Sequence, residues 1–136
     1  MLWSDIRKRS KVELPVCSGR LILQTDNRGW CKVYVSSTGT QKCIGAEGFA
    51  IIASRALNAM SHQREPDGEI DGVAVVNLFN LCEPHASLYL SLNSGIRKIY
   101  VQDVSATVID VLDLTVGQID EWKRILAAEV CRVRGQ

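Results

Sequence analysis

The stretch that decides the fold reads VAVVNLFNLCEPHASLYLSLNSGIRKIYVQDVSATVIDVL, residues 73–112. It is rich in β-branched and aromatic residues and is interrupted by short polar breaks, a pattern typical of successive strands. Four strands are predicted, at residues 73–82, 87–93, 96–104 and 107–112. The breaks are too short for a parallel return, which needs roughly a dozen residues of crossover. The stretch therefore predicts a four-stranded antiparallel meander.

The strand at 87–93 indicates how this meander lies. Its side chains alternate strictly, with one set apolar and the other mostly polar: Leu88, Leu90 and Leu92 against Ser87, Tyr89 and Ser91. Such alternation is typical of a sheet with one face on the core and the other in water. In the strand at 73–82 the apolar parity changes at Leu78 and Phe79, which indicates either a β-bulge or a strand covered on both faces.

Two further segments lie upstream of the meander. Residues 20–25 and 30–36 are apolar and strand-like, and the Asp26-Asn27-Arg28-Gly29 sequence between them has turn chemistry, so we predict a β-hairpin. After this hairpin the apolar residues repeat at i, i+3, i+4 and i+7 through residues 46–62. That period predicts an amphipathic helix that packs on the sheet. The polar residues 62–72 after it are expected to form a mobile connection.

A last helix follows the meander. Thr115, with Gln118 three residues later, matches a capping box at its start. Gly135 is a plausible stop. The expected buried stripe has helical spacing and consists of Ile119, Trp122, Leu126, Val130 and Val133.

The N-terminal residues form a short basic segment, 1–15, ahead of a single α+β domain, 16–136. Four basic side chains and one acid within residues 1–11 give a local charge of +3, against +1 for the whole chain. Ser4 is positioned to cap a short helix that runs to Lys11, and Pro15 forces the chain before it into an extended form.

Together these elements predict an α+β fold with a single mainly antiparallel sheet. The sheet is expected to contain the hairpin and the meander, packed by two amphipathic helices and the short N-terminal helix. A chain of 136 residues is the usual size of one domain. The order of its elements resembles profilin-like domains, type III secretion chaperones and the globular core of rhabdovirus matrix proteins.

Composition bounds the setting of the protein. Hydrophobic residues make up 46% and charged residues 23% of the chain, as in ordinary globular proteins. No apolar run approaches the roughly 18 residues that cross a bilayer. The five cysteines are odd in number and widely spaced, without a Cys-x-x-Cys pair. Reduced thiols and a soluble cytoplasmic protein are therefore expected.

Catalytic and metal-binding patterns are weak. A Gly-x-Ser-x-Gly motif is missing from the sequence, and neither His62 nor His85 has a recognisable nucleophile and carboxylate beside it. Cys82 and His85 form a Cys-x-x-His pair, to which Cys43 or His62 would have to add further ligands. We therefore predict no catalytic residue, no metal site and no cofactor, and an enzyme is the less favoured class.

The function favoured by the sequence is a non-catalytic protein-interaction or self-assembly module, expected to form a homo-oligomer through the face or edge of its sheet. The alternative is a viral matrix-like structural or accessory protein whose basic N-terminal segment binds nucleic acid or an anionic membrane. A third hypothesis is an enzyme whose site the sequence does not reveal. The candidate interaction residues are Arg7, Lys8, Arg9, Lys11, Tyr89, Arg97, Lys98, Tyr100, Arg132 and Arg134.

Overall fold

A computed structural model describes residues 10–25, 31–35, 49–61, 65–82 and 85–134, with the backbone alone at residues 34, 35, 61, 81, 82, 85 and 86. The strands are β1 (Lys11–Val16), β2 (Gly19–Thr25), β3 (Cys31–Val35), β4 (Gly68–Ile70), β5 (Val73–Cys82), β6 (His85–Ser91), β7 (Arg97–Asp103) and β8 (Val108–Leu114). The helices are α1 (Phe49–Ser61) and α2 (Val116–Val133). The strands form two antiparallel sheets, one of three strands (β1-β2-β3) and one of five (β4-β5-β6-β7-β8). The α+β class is confirmed.

The prediction of a single sheet was wrong, because a strand precedes the hairpin. In β1 the side chains alternate between buried Val12, Leu14 and Val16 and exposed Lys11 and Glu13. β1 pairs with β2 over its whole length, so the predicted β2–β3 hairpin is completed into a sheet of its own. Pro15 lacks an amide N–H, and it is tolerated because β1 is an edge strand of that sheet.

The predicted N-terminal helix at Ser4–Lys11 is not seen. Residues 4–9 lie outside the described residues, but Ser10 is not helical and Lys11 opens β1. The Ser10 amide donates to Thr25 Oγ1 at 3.1 Å, and the Thr25 amide donates to the Ser10 carbonyl at 2.9 Å. These two bonds extend the β1–β2 ladder by one position, and the predicted domain boundary after residue 15 falls within β1.

The predicted mobile connection at 62–72 contains a strand. β4 pairs with the start of β5, with Ile70 opposite Val73. The two residues between them, Asp71 and Gly72, have φ angles of 54° and 78°. Two successive positive φ values are the backbone of a type I′ hairpin turn, for which Asp-Gly is a preferred sequence.

The predicted meander is confirmed in β5 to β8. Each strand pairs antiparallel with the next, and a register shift between Asn77 and Phe79 lies at the predicted change of parity. Leu88, Leu90, Ile99 and Leu112 are fully buried on the side of the sheet that joins the main core.

The helices close this core. α1 packs against α2 and β5, and α2 packs also against β1. The predicted stripe of α2 is buried in full, and both bonds of its predicted capping box are present. Trp122 is wholly buried, and its Nε1 donates to the Pro15 carbonyl at 2.7 Å, which ties α2 to the three-stranded sheet. α2 ends at Val133, and Gly135 lies outside the described residues.

Within the described ranges, neither helix combines the length and the apolar character needed to cross a membrane.

Candidate interaction surfaces

The five-stranded sheet has a second face, opposite the main core, which carries both candidate tyrosines. Leu90, Ile99 and Leu112 lie in register in the main core. The residues that follow or precede them belong to the opposite face, here called the outer face. Tyr89 is opposite Tyr100 in the ladder, and Tyr100 is opposite Val111 in β8.

A second apolar cluster lies on the outer face. Its buried members are Ile70, Val75 and Tyr100, and Tyr89 and Val108 pack against them. Val75 is 1% exposed and Tyr100 is 4% exposed, so this face is less exposed to solvent than the alternation of polar and apolar residues in the strands predicts. Sequence reasoning missed the cluster because its members come from five strands, and only the register of the sheet brings them together.

Exposed apolar side chains continue from the cluster into the edge strand β8. Val111, the register partner of Tyr100, is 42% exposed, and Ile109, at the strand irregularity, is 43% exposed. Val104, in the β7–β8 turn, is 84% exposed. β8 therefore carries apolar side chains that the described parts of the chain leave open to solvent.

Polar groups border the cluster on the same face. Lys98 Nζ lies 3.0 Å from Asp113 Oδ1, its register partner in β8. The hydrogen bond to Asp113, together with the negative charge of that carboxylate, raises the pKa of Lys98. The Lys98 amide donates to Ser91 Oγ at 2.9 Å, and Ser91 Oγ bonds Asn93 Oδ1 at 2.5 Å.

The border is completed at β5 and β6. Asn80 Oδ1 accepts hydrogen bonds from Asn77 Nδ2 at 3.1 Å and from Ser87 Oγ at 3.0 Å. The Asn77 amide donates to Asp67 Oδ2 at 2.7 Å. The apolar cluster thus lies between polar groups on two sides.

The remaining candidate cations lie away from the tyrosines. Arg97 Nε donates to the Asn93 carbonyl at 3.1 Å, in the β6–β7 turn. At the end of α2, Arg134 Nη2 contacts Ser54 Oγ of α1 at 3.3 Å. Arg7, Lys8 and Arg9 lie outside the described residues.

Arg132, in the last turn of α2, lies beside the start of β1. Its Nη2 is 2.6 Å from Glu129 Oε2 and 3.3 Å from Ser10 Oγ. The hydrogen bond from Arg132 lowers the pKa of Glu129, and the same bond raises the pKa of Arg132. The structure therefore brings Arg132 close to the residue that precedes Lys11, and it separates both from Tyr89 and Tyr100 by placing them on different elements.

The free side of β8 is partly occupied. The Asp113 carbonyl accepts a hydrogen bond from the Cys17 amide at 2.9 Å, which joins the end of β8 to the β1–β2 turn. The Val111 amide donates to Asp110 Oδ1 at 2.9 Å. An irregularity opposite Val101 and Gln102 interrupts the β7–β8 ladder.

Metal ligands and thiols do not form a centre in the described residues. Cys82 and His85 are register partners at the β5–β6 hairpin, but their side chains, like His62 and Cys43, lie outside what the structure describes. Within the described set, no group of three or more His, Cys, Asp and Glu side chains could hold a metal ion. Cys17, Cys31 and Cys131 are not in disulfides, and of these three only Cys31 is buried.

Comparison with known proteins gives no relative: no family model, no curated protein and no solved structure matches this chain.

Proposed function

We propose that this protein is a non-catalytic self-assembly module that forms a homodimer through the outer face of its five-stranded sheet. The observation that carries the proposal is the pair of exposed apolar side chains on β8, Ile109 and Val111, which continue from the buried outer cluster of Ile70, Val75 and Tyr100. An apolar centre surrounded by polar, solvent-accessible groups is the usual anatomy of a protein interface. Tyrosine is enriched at such interfaces.

A second copy of the chain is the occupant that the charges favour. The border of the cluster carries charges of both signs, since Lys98 is positive and Asp113 and Asp67 are negative. A two-fold symmetric interface places the same patch on both sides, so a patch of one sign would repel itself. A patch that carries both signs can face its own copy, and each Lys98 can meet a carboxylate of the other subunit.

The size of the face sets the expected strength. The five strands average about seven residues, from three in β4 to ten in β5, and at a spacing of about 4.8 Å they cover roughly 20 Å by 24 Å. This area is below the about 800 Å² that each partner contributes to a standard stable interface. We therefore expect a dimer that dissociates on dilution.

The face is favoured over the free side of β8. Native sheets protect an edge with charged side chains, with bulges and with covering segments. In β8 the Val111 amide is bonded by the Asp110 carboxylate, and the Asp113 carbonyl is bonded by the Cys17 amide. The β7–β8 ladder is also irregular. These features leave few backbone N–H and C=O groups of β8 to which a partner strand could form hydrogen bonds.

Sedimentation of Val111→Glu tests the proposal. Wild-type protein is expected to pass from monomer to dimer over about a hundredfold range of concentration, as mass action requires. Val111→Glu places a charge on the exposed apolar part of the proposed interface and is expected to remain monomeric over that range. The matched control is Val116→Glu, because Val116 is 56% exposed at the start of α2, outside the outer face.

Lys98→Glu provides an independent second variant. It leaves the apolar cluster in place and replaces the positive charge of the border by a negative one, so dimerisation is expected to weaken at low salt and to recover at high salt. Circular dichroism and urea unfolding show whether each variant is folded. A monomeric wild-type protein, or equal dimerisation of Val111→Glu and Val116→Glu, would contradict the proposal.

A further inference from the structure

The outer side of the three-stranded sheet carries a row of cations across its strands. Lys11 of β1 is opposite Gln24 of β2, and Gln24 is opposite Lys32 of β3. The residues next to them, such as Val12, Leu23 and Val33, are buried, so this row lies on the side away from the core. Lys11 is exposed, and Lys32 is partly exposed.

These two lysines keep their charge available. The side-chain ammonium group of each has no hydrogen bond or ion pair with a described residue, whereas that of Lys98 is paired with Asp113. Two strand spacings of about 4.8 Å separate the lysine backbones by about 10 Å. The row is therefore a short line of positive charge along the hydrogen-bonding direction of the sheet.

The next row of the same face is not acidic overall. Glu13 is opposite Ile22, and Ile22 is opposite Tyr34. Arg20 Nη1 lies 3.1 Å from Glu13 Oε1, so the one carboxylate of this row is paired. Ile22 is partly exposed beside the cations and offers an apolar surface.

The sequence before Lys11 carries further positive charge, because Arg7, Lys8 and Arg9 directly precede Ser10 in the chain. Four acidic residues, by contrast, lie in or beside β4 of the other sheet: Glu65, Asp67, Glu69 and Asp71.

We propose that this cation row is a binding site for single-stranded nucleic acid, with Lys11 and Lys32 on backbone phosphates and a base against Ile22. Phosphates supply the negative charge that the unpaired lysines lack. The sheet favours a single strand over a duplex, because the major groove admits an α-helix or a two-stranded ribbon, whereas an open sheet face suits unstacked bases. The site lies on a different sheet from the dimer face and does not depend on it.

Fluorescence anisotropy with a labelled mixed-sequence oligonucleotide tests the proposal. Wild-type protein is expected to bind the single strand more tightly than the matching duplex, with affinity that falls as salt rises. The double variant Lys11→Gln/Lys32→Gln is expected to lower the slope of log affinity against log salt by about 1.4, since each phosphate contact on a single strand contributes about 0.7. The matched control, Lys123→Gln/Arg124→Gln, removes two cations of α2 that lie outside both proposed surfaces, and it is expected to leave the slope unchanged.

Three results would overturn the proposal. They are an unchanged slope in the lysine double variant, tighter binding of the duplex, and binding of phosphatidylserine vesicles without binding of the oligonucleotide. Thermal unfolding of both double variants shows that the comparison is between folded proteins.

Discussion

Trp122 shows how single side chains hold the two sheets and α2 together. Among the described residues it is the largest of the fully buried side chains. Its indole N–H donates a hydrogen bond to the Pro15 carbonyl, 107 residues away in the chain. A buried carbonyl that loses its donor costs the desolvation free energy of that group. The indole therefore contributes a hydrogen bond as well as apolar area.

We predict that Trp122→Phe lowers the free energy of unfolding by about 1–3 kcal/mol or more, because it leaves the Pro15 carbonyl without its donor and reduces packing. Urea unfolding measures the change. Tyr89→Phe is the control, since it removes a hydroxyl from a partly exposed ring and is expected to change stability little. Equal stability of Trp122→Phe and wild type would contradict the role of this bond.

Asp103 organises the β7–β8 turn. Its Oδ1 accepts hydrogen bonds from the Ser105 hydroxyl at 2.7 Å, the Ser105 amide at 3.0 Å and the Thr107 amide at 3.0 Å. These bonds, that from the Ser105 side chain above all, lower the pKa of Asp103 from its ordinary value of 3.8. The charged form is therefore the one that the folded turn stabilises.

This lowered pKa predicts an acid dependence. The stabilisation is present above the unfolded pKa of Asp103, and it is lost as the pH falls through the lower pKa of the folded state. Urea unfolding from about pH 5 to pH 2 is expected to show a shallower loss of stability for Asp103→Asn than for wild type. Asp120→Asn, whose carboxylate makes only a 3.9 Å contact to Lys123, is expected to follow the wild-type curve. Parallel curves for Asp103→Asn and wild type would contradict the prediction.

At the scale of elements, the sequence predicts features that depend on neighbouring residues, and it does not predict features that depend on distant pairing. The capping box at Thr115, the alternation around Leu88 and the change of parity at Leu78 each depend on neighbours within a few residues, and each was predicted. β1 has period-two burial, but it was missed because its first residue, Lys11, was assigned to a helix. The division into two sheets could not be predicted, because it depends on which strands pair. β1 pairs with β2, and the β1–β2 turn contacts β8 through the hydrogen bond from the Cys17 amide to the Asp113 carbonyl.

The candidate surfaces follow the same rule. Tyr89 and Tyr100 were identified from strand alternation, but their neighbour Val75 could be recognised only from the register of the sheet. The cation row of Lys11 and Lys32 was hidden likewise, since Lys11 was assigned to a helix. The Asp71-Gly72 turn carried a local signal for the β4–β5 hairpin, but the acidic residues around it favoured a loop.

The β4–β5 turn connects the strands that carry Ile70 and Val75 of the outer cluster, and its contribution to stability can be tested by substitution. Gly72 has a φ of 78° and no atom within 4 Å of an added Cβ, so Gly72→Ala introduces backbone strain without a clash. We predict a loss of about 1–2 kcal/mol, the cost of the left-handed region for an L-residue. Urea unfolding measures this loss, with Gly68→Ala as the control, because Gly68 has the same open surroundings without a positive φ. An equal effect of both changes would count against the turn.

At the scale of the whole molecule, the two proposed surfaces lie on different sheets. The outer face of the five-stranded sheet has an apolar centre and a border with charges of both signs, and the three-stranded sheet has two lysines, Lys11 and Lys32, whose ammonium groups pair with no described residue. A dimer formed through the outer face would carry two cation rows, and linked sites bind a long strand more tightly than either site alone. Self-assembly would then strengthen nucleic-acid binding without new contacts.

The central claim is that the outer face of one copy is buried against the same face of another. The most direct measurement is an isotope-filtered NOE experiment on mixed labelled and unlabelled protein, at a concentration where sedimentation detects the dimer. We predict intermolecular NOEs between the methyl groups of Val111 and side chains of the outer face, Tyr89 among them. Intermolecular NOEs confined to other surfaces, such as exposed Ile51 on α1, would contradict the claim.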